Sequence, residues 1–94
     1  MAFTVININD DGIIKIIPKW KWIDIYGDLV KIEGIDINFE ARAFTIDKLK
    51  TILLLQSVEL KNPKQVEDQI IYCSVFLNEI DISIYFPELD NNIL

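Results

Sequence analysis

The 94-residue chain is 51% hydrophobic and carries fifteen acids against nine bases, a formal charge of −6. That is one domain's length with material for a core, which excludes a two-domain protein and a disordered one. The acidic balance disfavours nucleic acid and anionic membranes, where affinity rests on Lys and Arg, and the absence of histidine with a single cysteine, Cys73, excludes an intrachain disulfide and the commonest general base.

Residues 3 to 9 form an apolar run of strand length that stops at Asp10-Asp11-Gly12. Asp-Gly between two β-branched runs predicts a hairpin with a type I′ turn, whose central residues both need positive φ. Ile13 to Ile17 is the returning strand, and Pro18 ends it because proline cannot donate to a ladder. Lys19 to Tyr26 alternates as a third strand, with Trp20, Trp22, Asp24 and Tyr26 on one face and Lys19, Lys21, Ile23 and Ile25 on the other. Gly27-Asp28 is the next turn. Across residues 29 to 44, Val30 and Ile32 share one parity and Ile35, Ile37 and Phe39 the other, so a bulge or bend at Glu33-Gly34 is needed to restore one buried face. Asp36, Asn38 and Glu40 then point together toward solvent.

Thr45 is the expected N-cap of a helix over 46–58, with the apolar stripe Ile46, Leu49, Ile52, Leu53 and Leu60 and a stop at Lys61-Asn62-Pro63. Asn62, Pro63 and Gln65 predict a further turn of helix near 63 to 68, and Ile70 to Leu77 is strand chemistry. Asn78-Glu79 makes a turn. Ile80, Ile82, Ile84 and Phe86 alternate with Asp81, Ser83 and Tyr85 in an amphipathic strand ended by Pro87, and 88–94 reads as a frayed tail. The expected fold is α+β, a mainly antiparallel sheet of about six strands with one helix (46–58) packed on one face, in the order ββββ-α-ββ, forming a single domain over 1–94.

Few groups carry chemistry. Asn7 to Gly12 resembles the start of a calcium loop, but its twelfth position is Pro18 instead of the bidentate Glu, and no metal site is expected. Trp20 and Trp22 with Lys19 and Lys21 have the composition of a stacking platform for single-stranded nucleic acid, yet alternation in a strand sends Trp and Lys to opposite faces. The two indoles are then core residues or protein-interface anchors. Cys73 has no base or second cysteine beside it to lower its pKa, so it packs as a small hydrophobe. Ser57 and Lys61 are four residues apart, without an oxyanion hole in view.

The charge is segregated. Nine acids offset nine bases up to Lys64, after which Glu67, Asp68, Glu79, Asp81, Glu88 and Asp90 stand without a Lys or Arg. This points to a small non-enzymatic, cofactor-free module that binds a basic protein, a nuclease or toxin, as a stoichiometric inhibitor of the immunity, antitoxin or phage anti-defence type. The expected partner-binding residues are Glu67, Asp68, Glu79, Asp81, Glu88, Asp36, Glu40, Trp20 and Trp22. The rival expectation is a homodimer or larger assembly through exposed strand edges at 3 to 9 or 80 to 86. The N-terminal residues MAFTVININDD lack the basic start of a signal peptide, and no apolar run reaches transmembrane length, which together predict a cytoplasmic location.

Overall fold

The computed structural model describes residues 2–35, 37 and 40–86. Their order is β1 (Phe3–Ile8), β2 (Ile13–Trp22), β3 (Ile25–Ile32), α1 (Arg42–Leu53), β4 (Ser57–Glu67), β5 (Ile70–Leu77), the two-residue β6 (Ile80–Asp81) and a 3-10 turn over Ile82–Tyr85. The α+β class, one helix and a count of six strands match expectation, but among the described residues the order is βββ-α-βββ instead of ββββ-α-ββ, and the sheet is not a simple antiparallel layer. The strand order is β3-β2-β1-β4-β5-β6, and β3 also pairs with β5 in parallel, Leu29 to Ile32 against Ile70 to Cys73. That pairing closes a five-stranded barrel, β1-β2-β3-β5-β4. With α1 between β3 and β4, this is the connectivity of an OB-fold.

Val5, Ile14, Ile16, Val30, Val58 and Val75 fill the interior, and α1 lays Ile46, Leu49 and Leu53 on the same core. Small β-branched side chains suit a narrow barrel, which is where much of the isoleucine and valine content goes. In β1 the register slips between Val5 and Asn7, a bulge that lets Val5 and Ile8, of opposite parity, both face inward.

Several boundaries differ from expectation. The β1–β2 loop is not type I′: Gly12 is left-handed at φ +80° whereas Asp10 and Asp11 are not, and the Asn9 side-chain oxygen accepts from the N–H groups of Asp11 and Ile13. Pro18 lies inside β2, with β2 and β3 out of register between Lys15 and Trp20, so the missing proline N–H falls in a bulge and the strand continues. The next turn is therefore Ile23-Asp24, not Gly27-Asp28. The parity change at Glu33-Gly34 is the tight bend of the two expected alternatives: it is the turn that ends β3, with Gly34 at φ +89°.

The helix spans 42–53 instead of 46–58. Its N-cap is Ala41, without a side-chain cap, and Thr45 is buried inside it. Leu54 leaves in an extended conformation, and residues 57–67 become β4 because they pair with β5. The expected helical turn near 63 to 68 is thus strand, and Asn62-Pro63 sits in a bulge where the β4–β5 register shifts between Lys61 and Gln65. After Asp81 the alternating run turns to 3-10 geometry, whose spacing buries Ile82 and Phe86 and leaves Ile84 outside. The proposed tail at 88–94 lies outside the described residues. Among the described residues no helix is long and apolar enough to cross a membrane.

Candidate binding site at the hairpin end of the barrel

Two arms project from one end of the barrel, the β2–β3 hairpin with its turn at Ile23-Asp24 and the β4–β5 hairpin with its turn at Asp68-Gln69. Between them on one side the wall is closed by the parallel β3–β5 pairing. On the other side the wall would be β1, but β1 begins at Phe3. Its partners there are Val58 of β4 and, at Thr4, Ile17 of β2. Both neighbours run on past that point, β2 to Trp22 and β4 to Glu67. Among the described residues, no strand fills the interval between β2 residues 19–22 and β4 residues 60–63.

The interval is a cavity of about 320 Å³. Phe3, Ile71 and Cys73 line it from the core, Trp20 and Trp22 from β2, and Leu60 and Pro63 from β4, with Lys19 and Lys21 at its margin. Such a volume with apolar walls and few polar groups falls within the range of ligand sites. Trp20 is only 2% exposed and donates its indole N–H to the Leu29 carbonyl at 2.9 Å, so the polar end of a buried ring is satisfied. Its position depends on Gly27 across the ladder, where an added Cβ would lie 2.5 Å from the Trp20 ring. Trp22 is half-buried. Neither indole is therefore an open stacking platform.

The tip of the β2–β3 arm is apolar and exposed. Ile23 is 70% and Tyr26 60% accessible, with Ile25 also exposed. Ile23 has φ +59° as the first residue of a two-residue turn, a place that favours glycine. A β-branched residue there is a genuine outlier. The sequence carries no signal of it, because Trp-Ile-Asp-Ile has no turn residue at the first position and alternates as a strand does.

The acids are not gathered. Glu67 and Asp68 stand at the β4–β5 turn and Glu79 and Asp81 at the β5–β6 turn, so the eight residues of β5 separate the two groups by roughly 26 Å. Asp81 caps the 3-10 turn, its carboxylate accepting from the Ser83 N–H at 2.9 Å. Glu40 lies before α1 and lines a different opening together with Asp10, Arg42, Asp47 and Lys50, where both signs meet and Arg42 is 3.7 Å from Asp11. Asp36 and Glu88 lie outside the described residues. Among the described residues no group of three or more His, Cys, Asp or Glu side chains is placed to hold a metal ion.

Cys73 is fully buried, and burial, with a lesser contribution from the Glu33 charge, pushes its thiol up to about 12. A thiol so held is no nucleophile at neutral pH. Comparison of the chain with protein-family models, with curated proteins and with solved structures finds no match.

Proposed function

We propose that the protein is a non-enzymatic protein-binding module that engages its partner with the hairpin end of the barrel, the β2–β3 arm and the cleft beside it. The observation that carries this is Ile23, a large apolar side chain exposed at the end of an arm in a backbone conformation that disfavours it. Strain and exposed apolar surface each oppose stability, and their coincidence is the pattern of a contact residue. Neighbouring Tyr26 and Trp22 are of the types that dominate interface energetics. An OB-type barrel invites a nucleic-acid reading, but fold does not carry function. Here the β1–β2 loop bears Asp10 and Asp11 and the β4–β5 turn follows Glu67 with Asp68, which repel a polyanion.

Stoichiometric inhibition by covering a partner's site fits a module of this kind. The version in which one acidic face meets a basic partner is less favoured, because the acids lie at both ends of β5. Assembly through strand edges is also less favoured: β1 is paired on both sides, and only Ile80 and Asp81 of the last segment are strand. The test is affinity capture on immobilised wild-type protein, on Ile23→Asp and Tyr26→Ala, and on a Glu79→Gln/Asp81→Asn variant. A partner kept by the wild type and the neutralised variant and lost by the arm variants supports the proposal. Loss on acid neutralisation alone overturns it in favour of the acidic face.

A further inference from the structure

Resting on the binding-module reading, we infer that the outer face of the β2–β3 ladder belongs to the same contact surface, and that the partner meets it with a patch of carboxylates, the sign opposite to the one the chain's −6 suggests. In β2, Ile14, Ile16 and Trp20 are buried, so Lys15, Ile17, Lys19 and Lys21 stand on the other face, and all four are exposed. In β3, Lys31 points outward between the buried Val30 and Ile32. Lys31 lies opposite Ile13 and Lys15 opposite Leu29, which makes the two lysines diagonal neighbours, while Lys21 lies opposite Tyr26. Four of the nine bases thus share one face of two strands. Asp28 is the single acid of those strands, 3.9 Å from Lys15. Lys19, Lys21 and Lys31 have no ion-pair partner among the described residues, whereas Arg42, Lys61 and Lys64 each lie within 3.9 Å of an acid of this chain. Both strands are described throughout, and the pairing with β1 plays no part in the arrangement.

The lysines form two pairs around an apolar centre. Lys19 and Lys21, two residues apart on one face, are separated by about 7 Å along the strand, and diagonal neighbours such as Lys15 and Lys31 by about 7–8 Å. Both spacings fall within the Debye length of about 8 Å at physiological salt, so each pair repels itself and an anion set between its members relieves the repulsion. Between the pairs stand Ile17, 52% exposed, and the exposed Pro18, where the β2–β3 register breaks. Beyond Lys21 the face runs into Tyr26 and Ile23 at the tip of the arm. Apolar contacts framed by charge are the layout of a protein interface. A nucleic acid fits this strip less well. Asp10 and Asp11 precede it at one end and Asp24 closes it at the other, so a polyphosphate continuing past either end meets like charge. The Tyr26 ring, which a base would need for stacking, already has the Lys21 ammonium 5.4 Å from its centre. A bounded group of Asp and Glu side chains on a folded partner matches both the sign and the extent.

The experiment follows the backbone amides of the full chain by NMR while adding an acetylated, amidated peptide of alternating Glu and Gly, its Lys-Gly counterpart, or an oligo-dT with the same number of charges, each at low and at physiological salt. The expected result is that the Glu-Gly peptide shifts amides of 15–21 and 26–31, leaves those of α1 in place, and binds more weakly as salt rises. Lys19→Glu/Lys21→Glu, on exposed positions, weakens that binding about tenfold, Lys19→Gln/Lys21→Gln weakens it by less, and Lys50→Glu on α1 leaves it unchanged. The Gln pair keeps the test decisive should the reversed pair not fold. Absence of shifts on the strip, equal binding of the Lys-Gly peptide, indifference to salt, or unchanged binding by the β2 variants overturns the inference. Tighter binding of oligo-dT than of the Glu-Gly peptide overturns it by assigning the face to nucleic acid, and strip signals that change on dilution without peptide do so by assigning it to a second copy. If Ile23→Asp loses a captured partner while Lys19→Glu/Lys21→Glu retains it, the module reading stands and this inference falls.

Discussion

Thr45 and Cys73 show what single buried atoms cost. Thr45 lies on the inner face of α1, and its hydroxyl has no hydrogen-bond partner among the described residues. A buried hydroxyl left unpaired costs about 1–3 kcal/mol, and a valine of nearly the same shape removes it. Thr45→Val is therefore expected to raise the urea midpoint by the equivalent of about 1 kcal/mol at an unchanged m-value. A fall in stability would mean that the hydroxyl is satisfied. At Cys73 burial raises the folded thiol to about 12 from 9.0. The folded state then keeps its proton where the unfolded chain gives it up, so this contribution is intact below pH 9 and lost as the pH rises toward 12. Each unit in that window removes up to about 1.4 kcal/mol. Chemical denaturation between pH 8 and 11 should show this slope for the wild type and lack it in Cys73→Val.

At the scale of elements, turns and bulges decided the architecture more than strand propensity did. The Asp68-Gln69 and Asn78-Glu79 turns both hold positive φ at their two central residues, the type I′ pattern that closes tight hairpins. Asn78 was a visible turn residue. Asp68-Gln69 carries no such signal, because the preceding Asn62-Pro63 has the form of a helix start. Among the hairpin turns, Ile23-Asp24 is the exception in chemistry. A left-handed conformation costs a non-glycine residue roughly 1–2 kcal/mol, against about 0.5–1 kcal/mol of extra chain entropy that glycine loses. Ile23→Gly should thus stabilise the fold by about 0.5–1 kcal/mol in urea unfolding while weakening partner capture. Stabilisation without any loss of capture would detach the strain from function.

At the scale of the molecule, closure through β3 and β5 gives the barrel one open wall. Amide hydrogen exchange should separate the two sides. Ile71 to Cys73 lie between β3 and β4, and their amides should exchange only through global unfolding, whereas amides of 19–22 that face the cleft should exchange orders of magnitude faster. Equal protection would close the cleft. The sequence by itself determined the α+β class, the presence of one helix, β1, the core of β5 and the buried character of Cys73, because these follow from local periodicity, β-branching and polarity, whereas it left Trp20 open between core and interface. It also determined the net charge and its segregation along the chain. Only the tertiary structure decided that 57–67 is a strand, that β3 meets β5, and that Glu67 and Asp68 stand far from Glu79 and Asp81. β4 takes its partners from β5, as near as Ile70 beside Glu67, and from β1 at the far end of the chain, while β3 meets β5 across the helix and β4, so no single local window contains the pairings that set those outcomes. The interval between β2 and β4 beyond Phe3 belongs to the same class, a relation between three segments that only their register reveals.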